Sequence, residues 1–371
     1  MDVDLSDDQD LLRETTARFI EARCPMTQVR ARAEGALASR DLVRAAGDLG
    51  WYALFIPEEF GGGTVSGSPI RDAVIVAEER GRLVQPGPFV AMNVVAFAIA
   101  TAGRRSQQET WLPRLATGEA TATWAISDRS GAPEARALSA RRVGAGYTVT
   151  GTAGLVPEAT SADVLLVTAV TTGGETLQFL LPAGSPGIDV RPTATLDLTR
   201  SLVDVRFTDV RVTEDDIIGG DAAALVQNQI DIAITLTTAE SVGTMRRLME
   251  LTLEYAKHRT AFGRPIGSFQ ALKHLLADAS LWLEVSTAGA SAAAHAVADG
   301  RSSASEIASI AKAYTGEAGI AVAQTCQQAH GGIGFTWEHD LHFYLRRLVT
   351  DRVLYGDPMW HRERICRIHD L

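Results

Sequence analysis

The order of helical and strand-like hydrophobic periodicity along the sequence is the feature that most restricts the folds this chain can adopt. Apolar residues recur at helical spacing through the first third, beginning with Leu11, Leu12, Phe19 and Ile20. Between about residues 121 and 212 they give way to short runs rich in Val, Thr, Leu and Phe, separated by Gly-Gly and Pro-Gly turns. Helical periodicity then returns and continues to the C-terminus. This order narrows the choice of folds, although it does not name a reaction.

The pattern predicts an α+β protein, and its length of 371 residues favours more than one packed unit. We predict an N-terminal helical domain over 1–118, a central antiparallel, β-barrel-like domain over 119–218, and a C-terminal four-helix bundle over 219–371. The predicted strands are 147–150, 164–170, 177–181, 188–190 and 202–212. The predicted bundle helices are 222–258, 268–299, 303–330 and 338–353. The nearly apolar run Phe89 to Ala102 is too short to cross a bilayer, so it predicts a buried helix.

Charge and cysteine content exclude several classes of function. A net charge of −10 with dispersed arginines disfavours nucleic acid as a partner. The three cysteines, Cys24, Cys326 and Cys366, have no C-x-x-C spacing, so neither a disulfide framework nor a metal site is indicated. The acidic N-terminus is unlike a signal peptide. We therefore expect a cytoplasmic protein without membrane insertion.

The segment from Tyr255 to Gln270 contains the first informative motif, R-x-x-F-G followed by F-Q. A long helix is predicted to end near Arg259, and a turn rich in Gly and Pro reverses the chain. A cation in the last turn of a helix is favoured by the helix dipole and can also meet a diphosphate. The alternative is an arginine that only caps a helix before a hairpin.

The second motif is Q-x-x-G-G-x-G-F from Gln328 to Phe335, where a helix runs into a glycine-rich corner. The missing side chains let the backbone approach a ligand and present N–H groups to phosphate or ribose oxygens. A plain helix terminator is the alternative. The corner does not follow a strand and lacks G-x-G-x-x-G, so a Rossmann site is not indicated.

Together with the segment Trp111 to Glu119, which enters the β domain, these motifs resemble the acyl-CoA dehydrogenase family in order and spacing along essentially the whole chain. The resemblance implies an FAD that lies extended between subunits. The residues implied to reach its adenine and diphosphate half are Arg259, Phe262, Gln270, Gln328, Gly331 and Gly332. Ile126 and Ser127 are implied to lie beside the isoalloxazine.

The family's reaction removes an α-proton from an acyl-CoA thioester and transfers a β-hydride to the flavin, giving a trans-2-enoyl-CoA. Such enzymes need a carboxylate base. In the family it usually lies in a Tyr-Glu-Gly-Thr-like segment, where this chain has Tyr355; in a minority it lies at the position that matches Ala233. Neither position has a carboxylate here.

Two carboxylates lie near those positions in sequence. Glu240 follows Ala233 by two helical turns in an uncharged stretch, so we expect burial to raise its pKa toward that of a base. Its alternative role is a buried structural partner for an arginine. Asp357 lies two residues after Tyr355, and its alternative role is a helix N-cap before Pro358.

The β domain also departs from the family. Leu155-Val156-Pro157 stands where relatives have an aromatic residue and a threonine against the flavin, and Asp128-Arg-Ser-Gly131 replaces an acidic-Pro-Gly loop. We predict an FAD-dependent acyl-CoA dehydrogenase of lipid metabolism. It would form a homo-oligomer, a dimer or tetramer, and pass electrons to an electron-transfer flavoprotein. The alternatives are a non-catalytic partner subunit of a hetero-oligomer and a flavin-dependent oxidase or oxygenase.

Overall fold

Helices build the N-terminal third of the chain, as its periodicity predicted. The structure, a computed structural model, describes residues 5–35, 40–133 and 137–371. The helices are α1 (Asp7–Arg23), α2 (Met26–Ala33), α3 (Arg40–Asp48), α4 (Pro69–Arg82), α5 (Phe89–Ala102) and α6 (Arg105–Ala116). Ser6 and Gln9 form a capping box at the start of α1. The predicted buried helix over 89–102 is confirmed, because α5 lies in the core formed with residues of the long helix 222–258 and the strand 122–125.

The central third forms a mixed sheet. Its strands are β1 (Ala122–Ala125), β2 (Leu138–Val143), β3 (Gly146–Pro157), β4 (Val164–Thr171), β5 (Thr176–Pro182), β6 (Ile188–Pro192) and β7 (Leu202–Val212). The neighbour order is β1-β4-β2-β3-β7-β6, and β5 pairs with β4.

The predicted antiparallel pairing is wrong for two strand pairs, because β1 and β2 both pair with β4 in parallel. The other pairs among these strands are antiparallel. β4 reads as an almost continuous apolar run because most of its residues are buried on both faces. The strands β1 and β2 were not predicted: β1 has four residues, and β2 carries consecutive arginines near its exposed end.

The C-terminal third contains the four predicted helices and one more. They are α7 (Ala222–His258), α8 (Gln270–Ala298), α9 (Ala304–His330) and α10 (Leu341–Val353), followed by α11 (Pro358–Ile368). The first residues of α7 to α10 agree with the predicted ones to within three positions, and their last residues to within one. α11 begins with an aspartate cap and a proline in its first turn.

The two central helices α4 and α7 cross with almost no space between their backbones. A Cβ added to Gly81 would lie 1.9 Å from the carbonyl oxygen of Glu240, and one added to Gly243 would lie 1.8 Å from that of Glu78. Each helix therefore has a glycine where the other helix's backbone passes. This contact fixes Glu240 against the N-terminal helices. In the described ranges, no helix is both long and apolar enough to span a membrane.

Candidate functional site

A short hairpin after α7 carries the first group of predicted cofactor residues. Arg259 caps α7 in extended backbone geometry, and residues 260–261 pair with 264–265. At the tip, Phe262 has a φ of 53° and its side chain is 95% exposed. Gln270 begins α8 and is also exposed. An aromatic side chain that a strained backbone holds in solvent does little to stabilise this chain. This placement therefore favours contact with another molecule.

The glycine corner follows α9 directly. Gly331 has φ 64° and ψ −145°, a conformation that essentially only glycine adopts. A Cβ added to Gly331 or Gly332 would meet no atom within 4 Å, so the corner is open on the side where side chains are missing. Gln328, one turn earlier, is exposed. This geometry leaves room for a ligand to approach the backbone.

An aromatic stack joins the hairpin to the glycine corner. The rings of Tyr255 and His330 lie 4.3 Å apart and nearly parallel, and His339 meets His330 edge-on at 5.0 Å. Tyr255 lies one turn before Arg259, and His330 directly precedes Gly331. The stack therefore brings the ends of α7 and α9 together, and with them the two motifs that sequence analysis placed on the adenine side of FAD.

The residues predicted beside the isoalloxazine are placed very differently. Ile126 and Ser127 follow β1 and are only 1% and 7% exposed. The Ser127 carbonyl accepts a hydrogen bond of 2.8 Å from the Gly154 backbone N–H. These two residues are covered by other parts of the same chain, whereas the adenine-side residues are open.

The loop that the sequence analysis matched to a base segment lies directly against this buried region. The ring of Tyr355 stacks on that of Trp124, with centroids 6.3 Å apart and 25° between planes. Tyr355 is 3% exposed, has a φ of 60°, and its hydroxyl has no hydrogen-bond partner among the described residues. The Gly356 N–H donates to the Gly131 carbonyl at 3.0 Å, which fixes the loop against the β domain. A large neutral side chain is thus buried at the position that the resemblance assigns to a carboxylate.

Glu240 is buried in the middle of α7, where its carboxylate accepts from two arginines. Arg347 Nη1 lies 2.7 Å from Oε1, and Arg200 Nη2 lies 2.5 Å from Oε2. Burial alone would raise the pKa of Glu240, but the charges of Arg200 and Arg347 together lower it below its usual value. The prediction of a raised pKa is therefore wrong. The structure agrees with the alternative role, a buried partner for arginine.

Glu240 belongs to a larger cluster of buried charges at the junction of the three parts of the chain. Arg347 also donates to Asp197 at 2.6 Å and to the Thr199 hydroxyl at 2.5 Å, both in the segment between β6 and β7. The same guanidinium donates to the backbone carbonyls of Val84 and Gln85, just after α4. It therefore connects the helices of the first third, the sheet region and the C-terminal helices.

Asp351 completes the cluster as the second carboxylate paired with Arg200. Burial raises the pKa of Asp351 to about 6, the charge of Arg200 opposes the rise, and Glu240 adds to it. Arg200, Arg347 and Asp351 were not among the predicted site residues. These residues are far from Glu240 in sequence, and no local motif connects them to it.

Asp357, the second candidate base, is the N-cap of α11. Its Oδ1 accepts a hydrogen bond of 2.8 Å from the backbone N–H of Trp360. The side chain is partly buried. This is the cap role that the sequence analysis gave as the alternative, and it uses one of the two carboxylate oxygens.

Two family models match most of the chain. The acyl-CoA dehydrogenase N-terminal domain matches residues 6–119, and the acyl-CoA dehydrogenase C-terminal domain matches residues 223–368. Among similar proteins, the acyl-CoA dehydrogenase IpdE2 of Mycolicibacterium smegmatis is 33% identical over 366 residues, which is 98% of each chain.

Solved structures agree with this. A chain of the ChsE4-ChsE5 complex from Mycobacterium tuberculosis is 28% identical, with a TM-score of 0.90 over 100% of this chain and 99% of that one. A chain of a Tcur3481-Tcur3483 steroid ACAD variant is 26% identical, with a TM-score of 0.88 over 98% of each chain. The helix, sheet and helix order, the joined motifs and these matches lead to one conclusion: the chain belongs to the acyl-CoA dehydrogenase family.

Proposed function

We propose that this chain takes part in flavin-dependent α,β-dehydrogenation of an acyl-CoA thioester as the subunit that completes the FAD site of a homologous, catalytic partner. The observation that carries the proposal is the loop at the base position, where Tyr355 is buried against Trp124 in place of a carboxylate. Dehydrogenation by this chain alone, the other interpretation of the sequence, would need Glu240 or Asp357 as the base.

The charge state of Glu240 argues against it as a base. A base must release its hydrogen bonds and accept a proton, and a carboxylate held by two guanidinium groups does so at a large cost. Asp357 is engaged in capping α11, so its use as a base would expose an unpaired backbone N–H. The proton on the substrate's α-carbon would then be removed by a carboxylate of the partner subunit.

The chain offers open residues for the adenine and diphosphate half of the implied FAD, but buried ones for the isoalloxazine half. Arg259, Phe262 and Gln270 on the hairpin, with the open glycine corner, present a cation, an exposed ring and free backbone to a diphosphate and adenine. The buried Ile126 and Ser127 leave their own side of the site closed. Bound FAD supplies the acceptor for the β-hydride.

The position of the hairpin also favours contact with the FAD of a neighbouring subunit. Arg259 lies 19 residues beyond Glu240 along the chain, roughly 28 Å along the axis of α7. The Tyr355 loop is near the middle of α7, so the hairpin stands at a distance from this chain's own base position. Two of the similar solved structures carry two protein names each, ChsE4-ChsE5 and Tcur3481-Tcur3483. A hetero-oligomer is thus the arrangement we propose, with an electron-transfer flavoprotein as electron acceptor.

The test is to purify this chain alone and together with a homologous acyl-CoA dehydrogenase subunit from the same genome. We expect the chain alone to retain little flavin and to show no bleaching with a panel of acyl-CoAs under anaerobic conditions. The mixture should form a complex that retains FAD and bleaches. Oxygen consumption during turnover would identify the oxidase or oxygenase alternative.

The opposite result would overturn the proposal. If the chain alone binds one FAD per subunit and an acyl-CoA bleaches it, the chain is itself a dehydrogenase. Comparing Glu240→Gln and Asp357→Asn in that preparation would then identify which carboxylate removes the proton.

A further inference from the structure

A separate cavity of about 220 Å³ lies among the N-terminal helices. It is bordered by the C-terminal part of α1, by α2 and α3, and by the segments around residues 51–52 and 85–87. Its apolar wall includes Phe19, Leu42, Ala46 and Trp51, and its polar groups include Tyr52 and Arg80. None of these residues belongs to the cofactor motifs, although the neighbouring Gln85 carbonyl accepts from Arg347 of the charge cluster.

Arg80 is a buried cation without an ion-pair partner in the part of the chain that the structure describes. The residue is 4% exposed, and no described carboxylate lies within 4.0 Å of its guanidinium. Among the described residues, Nη2 alone of the guanidinium nitrogens donates hydrogen bonds, to the backbone carbonyls of residues 85–87, the shortest being 3.0 Å to Pro86. Buried charges in proteins are normally paired. Nε and Nη1 of Arg80 therefore remain available to an anion.

Tyr52 offers a second free donor at the same cavity. The residue is 2% exposed, and its hydroxyl forms no hydrogen bond with any residue in the described ranges. Burial raises the pKa of Tyr52 to about 12, and the charge of Arg80 opposes this rise. The hydroxyl is therefore protonated at neutral pH and lies within the electrostatic influence of Arg80.

The rest of the cavity suits an apolar ring. Trp51 and Phe19 meet edge-on at 5.3 Å, and the guanidinium carbon of Arg80 lies 5.5 Å from the Trp51 ring. A dry cavity of about 150 Å³ is enough to hold a benzene ring. The space here therefore accommodates a ring with one small polar substituent.

We propose that this cavity binds a small monocarboxylate with an apolar or aromatic body. The carboxylate accepts hydrogen bonds from Arg80 and Tyr52, and the apolar body lies against Trp51 and Ala46. The ligand supplies a carboxylate in direct contact with Arg80, whereas Glu240 acts on Arg80 only through its charge, without an ion pair among the described residues.

Isothermal titration of the purified full chain with benzoate tests this proposal, with benzyl alcohol and inorganic phosphate as comparison probes. We expect benzoate to bind at one site per chain and the other two probes to bind at least tenfold more weakly. Tyr52→Phe removes only the hydroxyl and should weaken benzoate about tenfold or more, as for other hydrogen bonds to charged groups. Ala46→Leu should abolish binding by filling the cavity.

Tyr147→Phe, a change in strand β3 outside the cavity lining, is the matched control and should bind benzoate like the parent. The proposal is overturned if benzoate does not bind or if benzyl alcohol or phosphate binds equally well. It is also overturned if Tyr52→Phe, folded with an unchanged melting temperature, binds benzoate as tightly as the parent. Because Tyr52→Phe retains the ring, its result does not depend on whether Ala46→Leu folds.

Discussion

Replacing Glu240 with glutamine separates a structural role of this carboxylate from a catalytic one. In the parent, its two oxygens accept from Arg347 at 2.7 Å and Arg200 at 2.5 Å while the side chain is 2% exposed. Glutamine keeps the shape but removes the charge and turns one acceptor into an N–H group that faces a guanidinium. Breaking a buried ion pair from one side costs about 3–5 kcal/mol. For a chain of 371 residues this corresponds to a melting temperature lower by on the order of 5 °C.

The assay is thermal unfolding of parent and Glu240→Gln at several pH values. Because the pKa of Glu240 in the folded chain is lowered below its ordinary 4.5, its stabilising effect is complete above that value. The effect is lost as pH falls through the folded pKa, since protonation then removes the charge that the arginines bind. We therefore expect the difference between parent and variant to be largest near neutral pH and to shrink below about pH 4.5.

Glu254→Gln is the matched control. Glu254 lies in the same helix but is 64% exposed, and surface substitutions of this kind usually change stability by no more than about 0.5 kcal/mol. An unchanged melting temperature in Glu240→Gln, combined with loss of flavin bleaching by acyl-CoA in the assembled complex, would refute the structural role. That outcome would make Glu240 the base.

The remaining predictions concern the cofactor motif, the helix contact and the second carboxylate. Arg259→Ala should weaken FAD binding by the assembled complex by about 1.5–3 kcal/mol, measured as flavin absorbance per protein. Arg211→Ala on strand β7 is the control and should retain FAD like the parent. Equal flavin content in Arg259→Ala and the parent would contradict the diphosphate role. Gly243→Ala should lower the free energy of unfolding by about 3 kcal/mol or more, because its Cβ would overlap the backbone of α4. Gly184→Ala, which meets no atom within 4 Å, is its control, and equal melting temperatures would refute the close packing. Asp357→Ala should lower the free energy of unfolding by about 1 kcal/mol, because it removes the cap of α11. Asp357→Asn should retain both the cap and flavin bleaching by the complex. Loss of bleaching in Asp357→Asn would make Asp357 the base.

Local periodicity was enough to locate most of the secondary structure. The predicted bundle helices and the longer strands follow from side-chain spacing within each segment, which is a property of neighbouring residues. The parallel pairing of β1 and β2 with β4 was not predictable in this way, because the partner of a strand is chosen by contacts across the chain. α11 was missed as a helix although its Asp357-Pro358 start was recognised as a possible cap.

For the candidate site, the sequence by itself identified the glycine corner, Arg259 and Phe262 as candidate cofactor residues. It also showed which positions lack a carboxylate. Only the tertiary structure decided the state of Glu240. Glu240 and Arg347 are 107 residues apart, and their pairing arises when α10 and the segment after β6 fold against α7. A lone carboxylate in an apolar stretch is the same sequence signal whether it faces a buried arginine or an open cavity. Its pKa falls beside buried arginines, because their positive charge favours the ionised carboxylate, and it rises where burial acts without such a partner.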